Sequence, residues 1–575
     1  MTIRTTCGAC GIGCGMIAHD EGDGRVEITG DIRHPANRGQ LCAVGLGLSD
    51  MPDGDERLLH PVIAGRRASW ERALAHVARR LKDITAKHGP GSVAFLLGRD
   101  LLNEDYYLAN KLLKGFIGST HICMPSAPGL DTNARRLAGQ LGEDVTPASR
   151  DDIDLADLIL LFGGGRPILR ERIEEARHLR DARVAVVVET NQPMSAAEAD
   201  LHLPVAPGTT VALIRGLIAH CRRAGAIDEQ FLRNHVAGGD RLLVPEEGAD
   251  DLWSTARTCA LPPARLQHFF DLFATAARTL TLFEEDAEAG ALTAAILDLH
   301  LATGRLGRAG MGPMPLSAAP SAAGCRETGA LTSFLAGHAD FGEVNHQRLA
   351  RFWGTNRLAH QPVEDISTLA ARVATGEVRA IWAIGCSDAP GVGDLLSRCS
   401  FAILSESAAH TPANAAAHVL LPAHRWGERD GTRTALDRLV SRERPFLTPA
   451  GETRPHWWAL TRAGRLMGWP DAFYFDRPAD IFREHARLTA YLAYGRHVLD
   501  LHGFAAMSNP AYAGMTPWRW GATPFVGGRF ASRDGKAVLS DAAFGNMPGA
   551  VTDNPKEAAP VMAGNNHLRH KDGHG

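Results

Sequence analysis

The sequence lacks long hydrophobic runs, an excess of charge of one sign and a dinucleotide-binding glycine fingerprint. Its longest apolar stretches, such as residues 155–162, are far shorter than a bilayer span, so we expect no membrane insertion. With 61 basic and 65 acidic side chains and no basic stripe interleaved with aromatics, it has no electrostatic footprint for nucleic acid. The first cysteine, at position 7, leaves no room ahead of it for a secretory or twin-arginine leader. We therefore expect a cytoplasmic protein without a nucleic-acid partner.

Cysteine is scarce as well: 10 in 575 residues is far below the density of a disulfide scaffold. Four of the ten, Cys7, Cys10, Cys14 and Cys42, are spaced C-x2-C-x3-C-x27-C among glycines. Three close thiolates and one distant thiolate suit the corners of a 4Fe–4S cluster, and the glycines let the backbone approach the sulfides. Structural zinc, which most often uses two C-x2-C or Cys/His knuckles, and unliganded thiols are the alternatives. The spacing favours the iron–sulfur cluster.

The rest of the chain alternates between helices and apolar strands. The apolar period predicts a helix over 70–84, and strands are predicted at 92–98, 157–165, 182–190, 378–388 and 400–407. This pattern predicts an α/β fold: a small N-terminal Fe–S domain, then doubly wound, mostly parallel sheets, then an irregular C-terminal segment. The expected domains are 1–58, 59–150 together with 330–450, 151–329, and the segment 451–575.

Polar residues follow four of these strands, at 163–165, 189–193, 385–390 and 405–407. Doubly wound sheets bind ligands outside the carboxyl ends of their strands. The sequence therefore predicts one cofactor crevice walled by these turns. Its candidate contacts are Gly163, Gly164, Gly165, Glu189, Thr190, Asn191, Gly385 and Ser387.

Several segments, in the right order, resemble the molybdopterin oxidoreductase family, especially the catalytic subunits of nitrate reductases and formate dehydrogenases. They include RGQLCAVG (38–45), GCRETGALTSFLAGHADF (324–341) and AAHVLLPAHRWGERDGTRT (416–434). The resemblance implies two molybdopterin guanine dinucleotides holding molybdenum or tungsten, and nitrate reduction or formate oxidation with electrons passed through the 4Fe–4S cluster. It implies Cys123 as metal ligand, Arg326 as a catalytic residue and Glu327 as a cofactor contact. It also implies a hetero-oligomer with a ferredoxin, flavoprotein or NADH-linked electron-transfer subunit.

The sequence departs from the family at several predicted contacts. HICMPSA (121–127) precedes LDTNARR (130–136), the reverse of the usual order, so Cys123 is the ligand only in a shifted register, whereas an ungapped alignment places the metal near Gly129. Val44 stands where a basic residue is usual beside the last cluster cysteine, and acids in FEEDAEAG (283–290) replace a loop rich in Gly, Asn and Gln. We also expect the chain to lack the C-terminal domain that covers the second nucleotide. The alternative function is a degenerate electron-transfer or scaffold subunit without a working molybdenum site.

Overall fold

The computed structural model describes residues 2–20, 26–49, 56–127, 129–163, 165–178, 184–189, 199–243, 251–285, 289–317, 319–362, 368–493 and 497–540. Within these ranges no helix is both long and apolar enough to cross a membrane. The strands are β1 (Thr2–Thr6), β2 (Gly15–Asp20), β3 (Val26–Gly30), β4 (Val62–Ile63), β5 (Arg66–Arg67), β6 (Val93–Leu97), β7 (Ile122–Cys123), β8 (Leu158–Phe162), β9 (Val184–Glu189), β10 (Leu201–Pro204), β11 (Val236–Ala237), β12 (Thr279–Glu284), β13 (Gly312–Leu316), β14 (Ala380–Ile384), β15 (Phe401–Glu406), β16 (Val419–Pro422), β17 (Gly431–Thr434), β18 (Leu439–Glu443), β19 (Trp518–Arg519) and β20 (Ala537–Val538). The α-helices are α1 (Ala43–Leu46), α2 (Trp70–His88), α3 (Asn103–Asn110), α4 (Leu130–Leu141), α5 (Pro167–His178), α6 (Thr210–Arg223), α7 (Glu229–His235), α8 (Leu252–Thr258), α9 (Pro263–Thr275), α10 (Ala289–Ala302), α11 (Ala322–Glu327), α12 (Glu343–Trp353), α13 (Leu369–Ala374), α14 (Val392–Arg398), α15 (Pro412–Ala416), α16 (His456–Leu466), α17 (Pro478–Ala493) and α18 (Asn509–Ala513).

A seven-stranded sheet is assembled from two distant parts of the chain. Its strand order is β5-β4-β16-β15-β14-β6-β7, and the five strands from β16 to β7 run parallel. The central strands β6 and β14 are completely buried, and their rings, Phe95 and Trp382, meet edge to face at 5.6 Å. Strands covered on both faces read as continuous apolar runs, which is why β6, β14 and β15 could be predicted from the sequence.

A five-stranded sheet lies between these two parts in the chain. Its order is β10-β9-β8-β12-β13, and all its strands are parallel. The strands predicted at 157–165 and 182–190 correspond to β8 and β9. The predicted α/β class with doubly wound, mostly parallel sheets is confirmed. The exact domain boundaries stay predictions.

The predicted helix over 70–84 is the first four turns of α2. Ser69 caps it by accepting a hydrogen bond from the Arg72 N–H at 3.3 Å, and Gly89, with φ of 83°, ends it. The segment from 451 onward, expected to be irregular, contains the two amphipathic helices α16 and α17 before a stretch of short elements. Its Trp, Pro and Gly content gave no sign of these helices, whose apolar faces are buried on α2 and α3.

Two small antiparallel sheets meet at the N-terminal region. The sheet β1-β2-β3 presents the loop with the first three cysteines, and the sheet β17-β18-β19 lies against that loop. The Trp426 indole N–H donates to the Thr6 carbonyl at 2.9 Å, and the Leu436 N–H donates to the Gly11 carbonyl at 2.9 Å. The segment 426–443 therefore joins the cysteine loop to the rest of the molecule.

Candidate functional site

The fold gathers the four N-terminal cysteines at one place. Cys7 and Cys14 are buried, Cys10 and Cys42 are half-buried, and all four are free thiols packed around the same apolar cluster. The loop is closed by a hydrogen bond from the Cys7 N–H to the Cys14 carbonyl at 2.8 Å. Burial raises the pKa of the Cys14 thiol, and negative charge on the other three sulfurs raises it further.

These thiols suit a shared metal cluster. Burial raises the pKa of Cys7 to about 12, so this sulfur becomes a thiolate only when a cation replaces its proton. The Ala9 N–H points at the Cys7 sulfur at 3.4 Å, the contact expected of a backbone that tunes a cluster. In the described ranges no group of three or more His, Cys, Asp or Glu side chains is arranged to hold a single metal ion. The donor set of four thiols fits a 4Fe–4S cluster.

Cationic side chains surround this cysteine loop. Arg433 lies against it, because a Cβ added at Gly8 would come within 3.2 Å of the Arg433 guanidinium. The same guanidinium donates to the Asp100 carbonyl and to the Ser321 hydroxyl, both at 2.5 Å. Arg433 therefore connects the cysteine loop to the end of the seven-stranded sheet, and its charge, which is shared with the buried carboxylate of Glu443, would offset part of that of a cluster. Val44, on the short helix α1 that follows Cys42, is 66% exposed.

The carboxyl end of the seven-stranded sheet carries buried nitrogen atoms without partners. Gly385, with φ of 61°, turns the chain tightly after β14, and the Ser387 N–H donates to Glu406 at 3.2 Å. Arg429 Nη2 and His456 Nδ1 have no hydrogen-bond partner among the described residues. Buried polar groups are nearly always satisfied, so these atoms fit a ligand rich in hydrogen-bonding oxygens, such as a pterin nucleotide.

The carboxyl end of the five-stranded sheet, in contrast, carries carboxylates. Gly163, with φ of 95°, faces the carboxylate of Glu284, and Glu189 ends β9 with only 7% of its surface exposed. Gly165 packs on Leu161. Gly164, Thr190 and Asn191 lie outside the described residues. Carboxylates at this edge disfavour a polyanion, so the two sheet ends do not fit the cofactor equally well.

Arg326 lines a small, water-sized cavity of about 20 Å³. Its Nε donates to Asp144 at 2.8 Å, and its Nη1 donates to Glu285 at 3.1 Å. Burial alone would lower the pKa of Arg326, but these two carboxylates raise it above its usual value. The guanidinium is thus charged and fully paired. Its predicted catalytic role stays a prediction.

Glu327, the neighbour of Arg326, belongs to a different environment. It accepts hydrogen bonds from Asn103 at 3.1 Å, Thr434 at 2.6 Å and the Trp520 indole at 3.1 Å. Burial raises the pKa of Glu327 to about 8. These contacts tie α3, α11 and β17 together, and the predicted cofactor contact stays a prediction.

Cys123 lies at the end of the edge strand β7. It packs against an apolar cluster that includes Leu96 and Cys386, and burial raises its pKa to about 12, with a further contribution from Asp131. Cys123 does not line the small cavity next to Arg326. The structure therefore does not bring the two predicted catalytic residues into one cavity. The ligand role of Cys123 stays a prediction.

Sequence reasoning missed the charged partners around Arg326. Asp144 and Glu143 follow α4, and Glu143 bonds His338 Nδ1 at 3.0 Å. His338 lies in a segment already singled out, 324–341, and borders a second, larger cavity of about 1080 Å³. Two features of the sequence could have indicated these residues: the adjacent acids Glu143 and Asp144 after Gly142, and His338 directly after a glycine.

The chain was compared with known protein families. The family model "Molybdopterin oxidoreductase Fe4S4 domain" matches residues 1–50, and the model "Molybdopterin oxidoreductase" matches residues 57–462. The chain belongs to the molybdopterin oxidoreductase family. The recognition made from sequence segments is confirmed, and membership supports a 4Fe–4S cluster and molybdopterin as cofactors of this chain.

Individual relatives agree with the family assignment. The chain is 37% identical over 531 residues to a nitrate reductase of Klebsiella oxytoca, covering 90% of this chain and 61% of that protein. It is 31% identical over 582 residues to a nitrate reductase of Shewanella frigidimarina, covering 95% of this chain and 62% of that protein. Among solved structures, acetylene hydratase from Pelobacter acetylenicus matches 94% of this chain and 78% of its own with a TM-score of 0.74 at 17% identity, which shows a shared fold. The chain thus spans about three fifths of the length of the two nitrate reductases.

Proposed function

We propose that this chain carries out two-electron chemistry on a small oxyanion, reducing nitrate or oxidising formate, and exchanges the electrons through a 4Fe–4S cluster. The observation that carries the proposal is the arrangement of four free thiols beside Arg433. Arg433 also bonds the carbonyl of Asp100 at the end of the seven-stranded sheet, where buried nitrogen atoms lack hydrogen-bond partners. Similarity to two nitrate reductases supports nitrate as the substrate. When bound, a metal–pterin group supplies two-electron transfer, and a cluster divides it into one-electron steps.

The chain's own residues have distinct tasks in this proposal. The four cysteines hold the cluster, and Arg433 balances its charge. Arg429 and His456 bind the anionic part of the pterin cofactor. Arg326 positions the substrate from the small cavity, where its charge is shared with Asp144 and Glu285.

An electron-transfer partner subunit is part of the proposal, because one-electron carriers must load or unload the cluster. Val44 and Leu46, on the short helix that follows Cys42, are 66% and 49% exposed. These apolar side chains beside a cluster ligand support docking of a ferredoxin, a flavoprotein or an NADH-linked subunit at this place.

The first experiment is metal analysis of protein purified without oxygen, together with co-purifying subunits. We expect about four Fe and nearly one Mo or W per chain, and viologen-coupled turnover of nitrate or formate. Zinc in place of iron would contradict the cluster assignment.

The predicted ligand role of Cys123 needs its own variant. Cys123→Ala should lose Mo or W while keeping Fe if the thiolate binds the metal. Cys399→Ala, a buried cysteine in the same apolar cluster, is the matched control. Retention of Mo or W in Cys123→Ala would mean that the metal has no thiolate from this position.

A second candidate is an electron-transfer or scaffold subunit without a working molybdenum site. It is favoured by the full pairing of Arg326, by the acids at the five-stranded sheet and by the separation of Cys123 from the small cavity. The same metal analysis separates the two candidates, because this one predicts about four Fe with neither Mo nor W.

A further inference from the structure

His338 occupies the junction between the two cavities. The small cavity contains Arg326, and the large one opens past Arg348 and Asp340. Among the described residues that line them, His338 is the one shared by both. His338 therefore faces both the cavity that contains Arg326 and the larger cavity.

The backbone at His338 is in an unfavourable conformation. Its φ is 56°, in the left-handed region that side chains with a Cβ rarely adopt. Arg438, which lines the same small cavity, has a φ of 69°. Strained non-glycine residues persist where the surrounding structure holds them, and they cluster at functional sites.

The ring of His338 is held by a buried carboxylate. Its Nδ1 lies 3.0 Å from Glu143 Oε1, with 2% and 0% of the two side chains exposed. Glu143 is itself fixed by the N–H groups of Val498 at 2.6 Å and Leu499 at 3.0 Å. Burial alone would raise the pKa of Glu143, but His338 and His497 hold it well below its usual range. A carboxylate that accepts the Nδ1 proton leaves Nε2 as the nitrogen available for exchange.

We propose that His338 transfers the proton that the substrate gains or loses, with Glu143 as its positioning residue. The inference rests on the proposed function. Reduction of nitrate consumes two electrons and two protons, breaks one N–O bond and releases nitrite and water. Protonated His338 donates one of these protons to the departing oxygen, the second comes from water of the large cavity, and the electrons come from the one-electron partner. In formate oxidation neutral His338 accepts the single proton released with carbon dioxide and two electrons.

Two variants use the unusual backbone at this position. Asn tolerates a positive φ and cannot relay the proton, so His338→Asn should lower kcat by about 100-fold or more and change KM little. Glycine adopts a positive φ without steric strain, so His338→Gly should fold and leave a space the size of the imidazole ring that is open to the large cavity. Added imidazole should restore at least a tenth of the lost kcat in His338→Gly.

A binding measurement gives a readout that does not depend on turnover. Calorimetry should show saturable binding of imidazole to His338→Gly, and the double variant His338→Gly/Glu143→Gln should lose it, since the carboxylate that orders the ring is gone. His178→Asn, an exposed histidine on α5, is the control and should keep kcat within two-fold. His497→Asn, which removes the other imidazole near Glu143, should lose at least ten-fold less activity than His338→Asn.

The outcomes separate the inference from the proposed function. Wild-type protein loaded with metal but inactive on nitrate and formate overturns the proposed function and the role of His338 with it. Active wild type overturns the role of His338 alone if His338→Asn keeps its kcat, if imidazole neither binds nor rescues His338→Gly, or if His338→Asn and His497→Asn lose equal activity.

Discussion

Replacing Asp437 with Asn should weaken the contact between the cysteine loop and the segment 426–443. Asp437 accepts hydrogen bonds from Arg150 Nε at 2.9 Å and from Arg519 Nη2 at 2.8 Å, and the side chains of Asp437 and Arg150 are 0% exposed. Arg150 in turn donates to the Ile12 carbonyl, between Cys10 and Cys14. Removing one partner of a buried pair leaves a buried charge without compensation and costs about 3–5 kcal/mol.

The assay is urea unfolding of Asp437→Asn together with Fe per chain. Asp430→Asn is the matched control, because Asp430 also pairs with an arginine, Arg442, but is 45% exposed and should cost less than about 1 kcal/mol. We expect Asp437→Asn to unfold at lower urea and to retain less Fe. Equal midpoints and equal Fe in the two variants would refute the reasoning.

The Asp437 carboxylate also makes the stability of the fold depend on pH on the acid side. Burial would raise the pKa of Asp437, but Arg150 and Arg519 hold it well below the usual range. A depressed pKa contributes stability that is present above the unfolded value, near pH 4, and is lost as the pH falls through the folded value. Asp437→Asn should therefore flatten the acid side of the stability profile.

Three further variants test other buried groups. Cys42→Ser should lower Fe per chain, measured by mass spectrometry, whereas Cys399→Ala should keep it. Because burial raises the pKa of Glu327 to about 8, its stabilising contribution is complete below pH 4.5 and is lost as the pH rises through 8. Glu327→Gln should remove that loss, worth up to about 5 kcal/mol in urea unfolding at pH 9. Lys114 is fully buried and donates to the carbonyls of Gly329, Leu331 and Phe334. Lys114→Met should therefore lower the free energy of unfolding by about 2–4 kcal/mol in thermal unfolding. Lys87→Met, at an exposed lysine, is the control and should change it little.

The sheets could be predicted because their information is local. Parallel strands such as β8 and β14 are continuous apolar runs that end at glycine, and α2 shows its period, its Ser69 cap and its glycine stop within twenty or so residues. The cysteine spacing is local as well, since three of the four sulfurs fall within eight positions.

The contacts of the candidate site could not be predicted in this way. Glu143 and His338 are 195 residues apart, and Arg326 and Asp144 are 182 apart. Each pair forms only because the residues that follow α4 come together in the fold with α11 and the segment after it. No local pattern marks which acid faces which base, and the positive φ of His338 is imposed by tertiary packing on a residue that does not favour it.

The charges of the small cavity constrain how an anion can enter it. Arg326 is already paired with Asp144 and Glu285, so a nitrate or formate ion would meet two carboxylates at close range. At 4 Å each repulsion amounts to about 4 kcal/mol with an effective dielectric constant near 20, and the attraction of the Arg326 guanidinium offsets one of the two. Burial raises the pKa of Glu285, so protonation of this carboxyl is the least costly way to remove one repulsion and free part of the guanidinium. Binding of the substrate anion would then take up a proton, and affinity should increase as the pH falls.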